Sequence, residues 1–463
     1  MACSIILWIA TLPITGFAHL NSETSLDRWH APGAHKVSLR STRQEPMPMQ
    51  GPALPYPLFS PMFAQRERQN VKVKYEDAND TIAGIGISPP LNIDFVNKFP
   101  KFTDPSTVFT YPNTPMDSNS GPPLVSPAIV PLGKLPLTDF ISNRKDILYY
   151  GPLDFGTPAQ QLTVDIDTGS ADLWVASDCD ECSTKQFRTD QSQTINHDDE
   201  DFSVAYGSGE VFGTIAEDVV SVAGLTSEQQ TIGLVEMESS DFQGYPNSGI
   251  LGLAFSTISS TGKPTLFENL MKENKLMAPF FSVHLTRGTE DGSELCLGCF
   301  DVTKTTGQVK WVPVSSKTYW AVNITRLYSD GIDISVPDDF VAAIDTGTTL
   351  IYVPDPIAQT IYSSIAGAKS IDRFGPGFFS YPCTSSPDIR FTFGGIEFEM
   401  NDEDFNIGRL PDSSDCIGGI VSLGSDFPSN IAIIGDEFLK SWYTVYDYSN
   451  GARVGFAPSI NNM

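Results

Sequence analysis

The residues best placed to do chemistry come as one short phrase used twice. Asp167-Thr168-Gly169-Ser170 follows the run Leu162-Thr163-Val164-Asp165-Ile166, and Asp345-Thr346-Gly347-Thr348 follows Phe340-Val341-Ala342-Ala343-Ile344. Each copy is a strand-like stretch running into an acid, a hydroxyl residue, a glycine and a second hydroxyl. A carboxylate at the mouth of a buried turn is costly unless its oxygens accept hydrogen bonds. The glycine lets backbone N–H groups come close, and the Ser or Thr hydroxyl adds another donor. Two such carboxylates held a few ångströms apart cannot both ionise, so they share one proton. The pair can then take a proton from water and polarise a carbonyl at once. A single Asp-Thr-Gly reads equally as an aspartate capping its own turn; the duplication is what favours chemistry.

The elements that must hold these turns read as short strands with turn residues between them. Ile147-Leu148-Tyr149-Tyr150, residues 162–166 and Leu173-Trp174-Val175 are strand candidates, punctuated by Gly151-Pro152 and Gly156-Thr157-Pro158. Phe202, Val204 and Tyr206 alternate up to Gly207-Ser208-Gly209, and Val211, Gly213 and Ile215 return, which predicts a hairpin. Helices are few and short: residues 264–276 place Phe267, Leu270 and Met271 at helical spacing, and 356–365 do so with Ile357, Ile361 and Ile365. Ile250, in Gly249-Ile250-Leu251-Gly252, lies 83 residues after Asp167, and Ile433, in Ile433-Ile434-Gly435, lies 88 after Asp345. This self-similarity predicts two related lobes of mostly antiparallel strands with a cleft between them.

Composition bounds the partners. The 463 residues suffice for two or three domains, and 56 Asp plus Glu against 29 Lys plus Arg give a net charge of −27. That balance argues against nucleic acid, which needs a basic footprint. It suits acidic surroundings, where protonation relieves self-repulsion, and equally a merely soluble acidic surface. Residues 4–18 form an apolar run broken by Pro13, too short to span a bilayer and read as a secretory signal ending near Ala18, so no membrane association is expected. Residues 19–135 differ from the rest: 17 of the 34 prolines lie between Pro46 and Pro136, and the stretch is expected to be mostly extended or disordered by itself. Residues 20–135 carry 11 basic and 10 acidic side chains, leaving 18 and 46 from 136 onward. Lys36, Arg40, Arg43, Arg66, Arg68, Lys72 and Lys74 could dock this leader on the acidic body as a removable pro-segment, a bland linker being the alternative. Six cysteines follow the leader: Cys179, Cys182, Cys296, Cys299, Cys383 and Cys416. An even set in an exported chain predicts disulfides. A zinc or redox reading of the two C-x-x-C pairs is disfavoured, because they lie 114 residues apart and neither opens a βαβ unit.

From about residue 136 to the end the chain resembles the pepsin-like aspartic proteases of the fungal secreted type. The phrases that carry the resemblance are Phe155-Gly156-Thr157-Pro158, residues 164–175 around the first Asp-Thr-Gly, Tyr206-Gly207-Ser208-Gly209, Ile250-Leu251-Gly252-Leu253, the second Asp-Thr-Gly, and the ending from Trp442 to Ala457. That family is the type case of the shared-proton pair. The resemblance implies a mainly β, bilobal fold with pseudo-twofold lobes and a central cleft, Asp167 and Asp345 as catalytic dyad, and a water between them as nucleophile. It implies substrate-side roles for Tyr206 on a flap hairpin and for Trp174, whose indole N–H meets the tyrosine hydroxyl. Ser170 and Thr348 match hydroxyls on the dyad's outer oxygens, Gly169 and Gly347 match backbone close to dyad and substrate, and Ile250 matches an apolar pocket wall that also serves the core. It implies a Cys383–Cys416 bridge; Cys179–Cys182 would close a short loop, and Cys296–Cys299 a local one.

The expected organisation is signal peptide 1–18, pro-segment 19–135, N-terminal lobe 136–325 and C-terminal lobe 326–463. The expected activity is that of a secreted aspartic endopeptidase, made as a zymogen and active at acid pH, without cofactor or metal. Its partners would be polypeptide substrates and its own pro-segment, and it would be a monomer delivered outside the cell or to a vacuole. Lys36, Lys72, Lys74 and Lys101 compete as the lysine that blocks the dyad in such zymogens. The mature chain starts near Pro136 by resemblance, with Arg144-Lys145 as a rival processing point. Asn79 and Asn323 head glycosylation sequons. The alternatives are a catalytically silent pepsin-fold binding or inhibitor protein, which damaged Asp-Thr-Gly turns would accompany, and a wall or adhesion protein on a proline-rich stalk.

Overall fold

The computed structural model describes residues 56–76, 78, 81, 133–206, 209–425 and 427–463. Strands β1 (Lys134–Ser142) and β2 (Lys145–Phe155) form a hairpin whose two turn residues, Asn143 and Arg144, both have positive φ. Such two-residue turns match the twist of their strands. The basic pair Arg144-Lys145 thus sits at a hairpin tip, with Lys145 Nζ donating to the Asn406 carbonyl at 2.6 Å. β3 (Gln160–Asp167) buries Leu162, Val164 and Ile166 in the core and sends the alternate positions, Asp165 and Asp167 among them, to the other face. β4 (Leu173–Ala176) is buried along its whole length. The expected hairpin is β5 (Asn196–Tyr206) with β6 (Gly209–Val222), in register Phe202↔Gly213, Val204↔Val211 and Tyr206↔Gly209. Its tip, Gly207-Ser208, lies outside the described residues.

The internal repeat has a structural meaning. β3 runs parallel to β8 (Gly249–Gly252), with Asp165 opposite Ile250 and Asp167 opposite Gly252, and β4 lies antiparallel on the same strand. In the second half Val341–Ile344 runs parallel to Ile431–Ile434, and Ile351–Val353 lies antiparallel on it. Each Asp-Thr-Gly therefore leaves a strand flanked by the apolar-Gly segment that the spacing picked out. These parallel pairs, with β4 on β7 (Leu225–Glu238) and Ile351–Val353 on Ile420–Ser422, interrupt an otherwise antiparallel body. One antiparallel sheet ties the halves together through β1, Ser293–Leu297, Phe280–His284, Trp442–Asp447, Arg453–Pro458 and Lys310–Lys317. The strand Trp320–Ser329 runs across the 325/326 boundary and pairs with Lys310–Lys317, Val341–Ile344 and Ile389–Phe393.

The two predicted helices form in trimmed versions. Leu266–Lys272 starts at a capping box in which Thr265 and Glu268 satisfy each other's backbone N–H groups. Asp355–Ser364 packs Ile357, Ala358 and Ile361 inward.

The described part of the leader, a segment expected to be mostly extended or disordered by itself, contains the helix α1 (Pro61–Lys74), begun by a proline at its first position and ended by Lys72 and Lys74 in the last turn. The buried stripe is Ala64, Glu67 and Val71. A glutamate in the middle of that stripe breaks the apolar period, which is why hydrophobic spacing did not reveal it. Asn79, one of the two sequon residues, lies outside the described residues, whereas Asn323 is exposed on its strand.

The six cysteines that follow the leader pair as expected: Cys179–Cys182, Cys296–Cys299 and Cys383–Cys416. The last spans 33 residues, so in the chain-entropy account it stabilises by roughly 3–4 kcal/mol. Replacing Cys383 and Cys416 together by serine should lower the unfolding free energy by about that amount in denaturant titrations, and the Cys179–Cys182 double replacement should lower it by less.

Candidate active site

The two turns meet and hold each other. Thr168 Oγ1 donates to the Ile344 carbonyl at 2.8 Å and Thr346 Oγ1 to the Ile166 carbonyl at 2.6 Å. Each threonine hydroxyl in turn accepts the other's backbone N–H, at 3.1 and 3.0 Å. These reciprocal bonds fix the two aspartates face to face at the bottom of the cleft. Gly169 N–H donates to Asp167 Oδ1 at 2.8 Å and Gly347 N–H to Asp345 Oδ1 at 2.9 Å. Ser170 Oγ donates to Asp167 Oδ2 at 2.6 Å, and Thr348 Oγ1 to Asp345 Oδ2 at 2.5 Å. A Cβ at Gly169 would collide with the Asp345 carboxyl group, and one at Gly347 with that of Asp167. The glycines are required by the close approach of the opposite aspartate, a stronger reason than turn flexibility.

A cation fills the gap. Lys74 Nζ, on the last turn of α1, lies 2.7 Å from Asp167 Oδ1 and 3.0 Å from Asp345 Oδ2. Of the four competing lysines Lys74 is therefore the one on the aspartates; Lys36 and Lys101 lie outside the described residues. A spacing argument could have chosen it over Lys72, since Lys74 continues the buried stripe 64, 67, 71 by one more step of three. Tyr75, which sequence reasoning missed, donates its hydroxyl to Asp345 Oδ2 at 2.9 Å and packs its ring 4.8 Å from that of Tyr319.

Electrostatics separate the two carboxyls. Burial pushes Asp167 up to about 6; Lys74 opposes this and Asp345 adds to it. Burial acts the same way on Asp345, but Lys74 and the hydrogen bonds from Asp167 and Thr348 outweigh it and hold that group below the ordinary carboxylate range. Burial would lower Lys74, yet the two aspartates hold it above lysine's usual value. One carboxyl is thus poised to keep a proton while its partner stays ionised, the state that acid–base chemistry on one water needs.

Of the remaining predicted residues, Tyr206 and Ile250 line the same cavity, and Trp174 is buried beside Tyr206. Trp174 Nε1 donates to the Tyr206 hydroxyl at 2.8 Å at the end of the β5–β6 hairpin, and Phe242 packs edge-on against both rings. Ile250 joins that aromatic cluster and also lines the cavity. α1 adds a second anchor, with Glu67 Oε1 accepting the Thr349 and Leu350 N–H groups at 2.6 and 2.9 Å. Burial, more than any neighbour, pushes Glu67 up to about 7. Arg68 Nε donates to the Ser422 carbonyl at 2.6 Å.

Comparison with known proteins agrees with this geometry. Residues 148–459 match the eukaryotic aspartyl protease family. The chain is 36% identical to pepsin A of Sus scrofa over 329 residues, covering 69% of this chain and 83% of that one. It is 34% identical to major aspartyl peptidase 1 of Cryptococcus neoformans var. grubii over 352 residues, 71% of each chain. It is 35% identical to an aspartic protease of Phaffia rhodozyma over 334 residues, 70% of this chain and 78% of that one. With both Asp-Thr-Gly turns intact and facing, the chain belongs to the eukaryotic aspartyl protease family and is an aspartic-type endopeptidase, whose substrates are polypeptides.

Proposed function

We propose that this endopeptidase works at acid pH through Asp167 and Asp345 as a proton-sharing dyad. We propose further that it is exported, and that it is made as a zymogen whose residues 61–74 block the cleft. The observation that supports this most directly is the single ammonium group, Lys74 Nζ, bonded to both carboxyls. Its place is where a substrate-attacking water would have to sit.

With α1 gone, a water bridging the two carboxyls loses a proton to the ionised one as its oxygen attacks the scissile carbonyl carbon. The protonated partner gives its proton to the carbonyl oxygen, producing a neutral tetrahedral diol. Collapse of the diol breaks the C–N bond: the proton first taken from water passes to the leaving nitrogen, and one diol hydroxyl returns its proton to the other carboxylate as the new carboxylic acid's C=O forms, so the dyad ends as it began. No charge leaves the site, which suits a buried pair. The N–H groups of Gly169 and Gly347 and the hydroxyls of Ser170 and Thr348 hold the carboxyls in plane throughout. Tyr206, braced by Trp174, closes over the substrate from the hairpin. Above the range in which the dyad keeps its proton the acid is missing, so the rate falls as pH rises. Three disulfides support export, since such bonds persist in oxidising compartments.

Two charged anchors of α1 respond oppositely to acid. Protonating the dyad weakens its hold on Lys74. Glu67, raised on docking, makes a contribution fully present below about 4.5 and lost as pH rises through about 7. The shift corresponds to roughly 3 kcal/mol. Glu67→Gln should therefore match wild type in stability of the full-length chain near pH 4.5 and exceed it by roughly that amount near pH 7.5; parallel curves would show that Glu67 titrates normally.

Asp167→Asn and Asp345→Asn should each reduce kcat on a denatured protein by about 10⁴-fold or more, and pepstatin should inhibit the wild type; either variant retaining activity would sink the dyad. Full-length chain held at neutral pH should be inactive, and acidification should lower its mass as activity appears. Lys74→Gln should shorten that lag and shift its onset to higher pH. An unchanged lag would mean that Lys74 does not hold the block.

A further inference from the structure

Far from the dyad, the sheet that ties the halves together ends one of its strands on a buried histidine. His284 closes the strand Phe280–His284, is 1% exposed, and has no hydrogen-bond partner for either ring nitrogen among the described residues. That strand comes from the first half and pairs with Trp442–Asp447 from the second. The imidazole stands edge-on to the Tyr443 ring at 6.0 Å. The Tyr443 hydroxyl is engaged elsewhere: it bonds Ser282 Oγ at 2.7 Å and accepts the Asp301 N–H at 2.9 Å. A buried imidazole with two unmet nitrogens costs stability that a hydrocarbon ring would not, and it brings a response to acid that no hydrocarbon has.

The charges around it leave no room for another cation. Directly opposite on Ser293–Leu297 is Glu294, whose Oε1 is buried without a partner and whose Oε2 lies 3.6 Å from Lys134 Nζ at the start of β1. The turn at 301–304 supplies Asp301, bonded to Lys134, and Lys304, whose Nζ donates to the Gly292 carbonyl at 2.9 Å. Around a neutral His284 two lysines thus balance two carboxylates. A proton on the imidazole breaks that balance in a place where an unpaired charge is heavily penalised. Glu294 does not restore it: burial raises its carboxyl in spite of Lys134, so it gives up its charge over the acid range in which an imidazolium would need it. Asp301, despite its own burial, is held below the ordinary carboxylate range by bonds from Lys134 and Thr303, which commit it to them.

We propose that His284 is a proton-operated weak point in this sheet: charging it in acid loosens the joint between the halves and sets the lower pH limit of the enzyme. Burial, with Lys304 beside it, outweighs Asp301 and lowers the imidazole from 6.5 to about 4. The unfolded chain therefore takes up this proton near 6.5 and the folded chain near 4. Stability is intact above that interval, falls with pH through it, and is lowest below it. The interval corresponds to about 300-fold in the equilibrium constant for unfolding. Over most of the acidic body protonation relieves repulsion, whereas at this joint it adds charge. The acid that suits the dyad thus opens the sheet when it goes far enough, which confines the enzyme to a mildly acid window.

The test uses the full-length Asp167→Asn chain, in which the dyad is disabled, with and without His284→Phe. Urea titrations at pH 7 and pH 3 should show the ratio of their unfolding constants changing by about 300-fold in favour of the phenylalanine variant. A packing effect would shift both pH values alike, and the relief of Glu294 in acid is common to both chains, so the change isolates the imidazole. His284→Gln, polar but unable to take up a proton, should follow His284→Phe. A ratio independent of pH would overturn the proposal. A second measurement requires no change at His284: with its histidines isotope-labelled, the Asp167→Asn chain should show one imidazole resonance that titrates far below 6.5 and vanishes in His284→Phe. If the His284 resonance titrates near 6.5, the proposal fails. In the activated enzyme, loss of activity during incubation at pH 3 should be slower in His284→Phe, with kcat at pH 5 unchanged; equal rates of loss would count against His284 as the limit.

Discussion

The structure turns on one constraint: two carboxyl groups must be held against each other although their charges repel. The reciprocal threonine bonds meet it by making each turn part of the other's hydrogen-bond network, Thr168 to the Ile344 carbonyl and Thr346 to the Ile166 carbonyl. Neither turn can shift without breaking bonds in both halves. The glycines then bring the backbone close enough that any side chain there would strike the opposite aspartate. Everything else at the site follows from that proximity: the divided proton affinities, the single cation that can satisfy both groups, and the need for a lid over them.

What could be read in the sequence was whatever the chain repeats or spaces regularly. The doubled Asp-Thr-Gly, the later apolar-Gly strands, the alternating hairpin ending at Tyr206 and the close cysteine pairs all lie in local patterns. Those patterns had one physical cause each, and the structure supplies it: the repeat, for instance, is the parallel pairing of β3 with β8 and of Val341–Ile344 with Ile431–Ile434. α1 was not legible because the residue at the centre of its buried stripe is Glu67, anchored by two backbone N–H groups in place of an apolar surface. Tyr75 was hidden for a related reason: its partner, Asp345, is 270 positions away. Asp165, which lines the cavity beside the dyad, was in plain view within Val164-Asp165-Ile166 but passed as a strand residue. Periodicity tells core from non-core, and a cleft wall and a solvated face both count as non-core.

The middle threonines make the same point from inside the motif. The hydroxyls singled out beforehand were those of Ser170 and Thr348, which touch the carboxyls. Thr168 and Thr346 are buried and hold the turns together. A hydroxyl that supports another turn leaves the same trace in the sequence as one that supports a carboxylate, and only the partner's position separates them.

The turns keep their relation only if the halves carrying them do, and a buried ionic cluster bears on that. Lys440 Nζ lies 2.9 Å from Asp146 on β2 and 2.8 Å from Glu437, with the lysine almost wholly buried. Arg287 binds Asp404 through two nitrogens, at 2.6 and 2.7 Å, so both halves contribute charges. Such pairs add little net stability over well-packed apolar residues, because desolvation offsets their attraction. Their geometry is exacting, however, and a buried charge that loses its partner is heavily penalised. The cluster therefore acts less as glue than as a gauge. It penalises any sliding of one half against the other, which is the motion that would pull Asp167 away from Asp345.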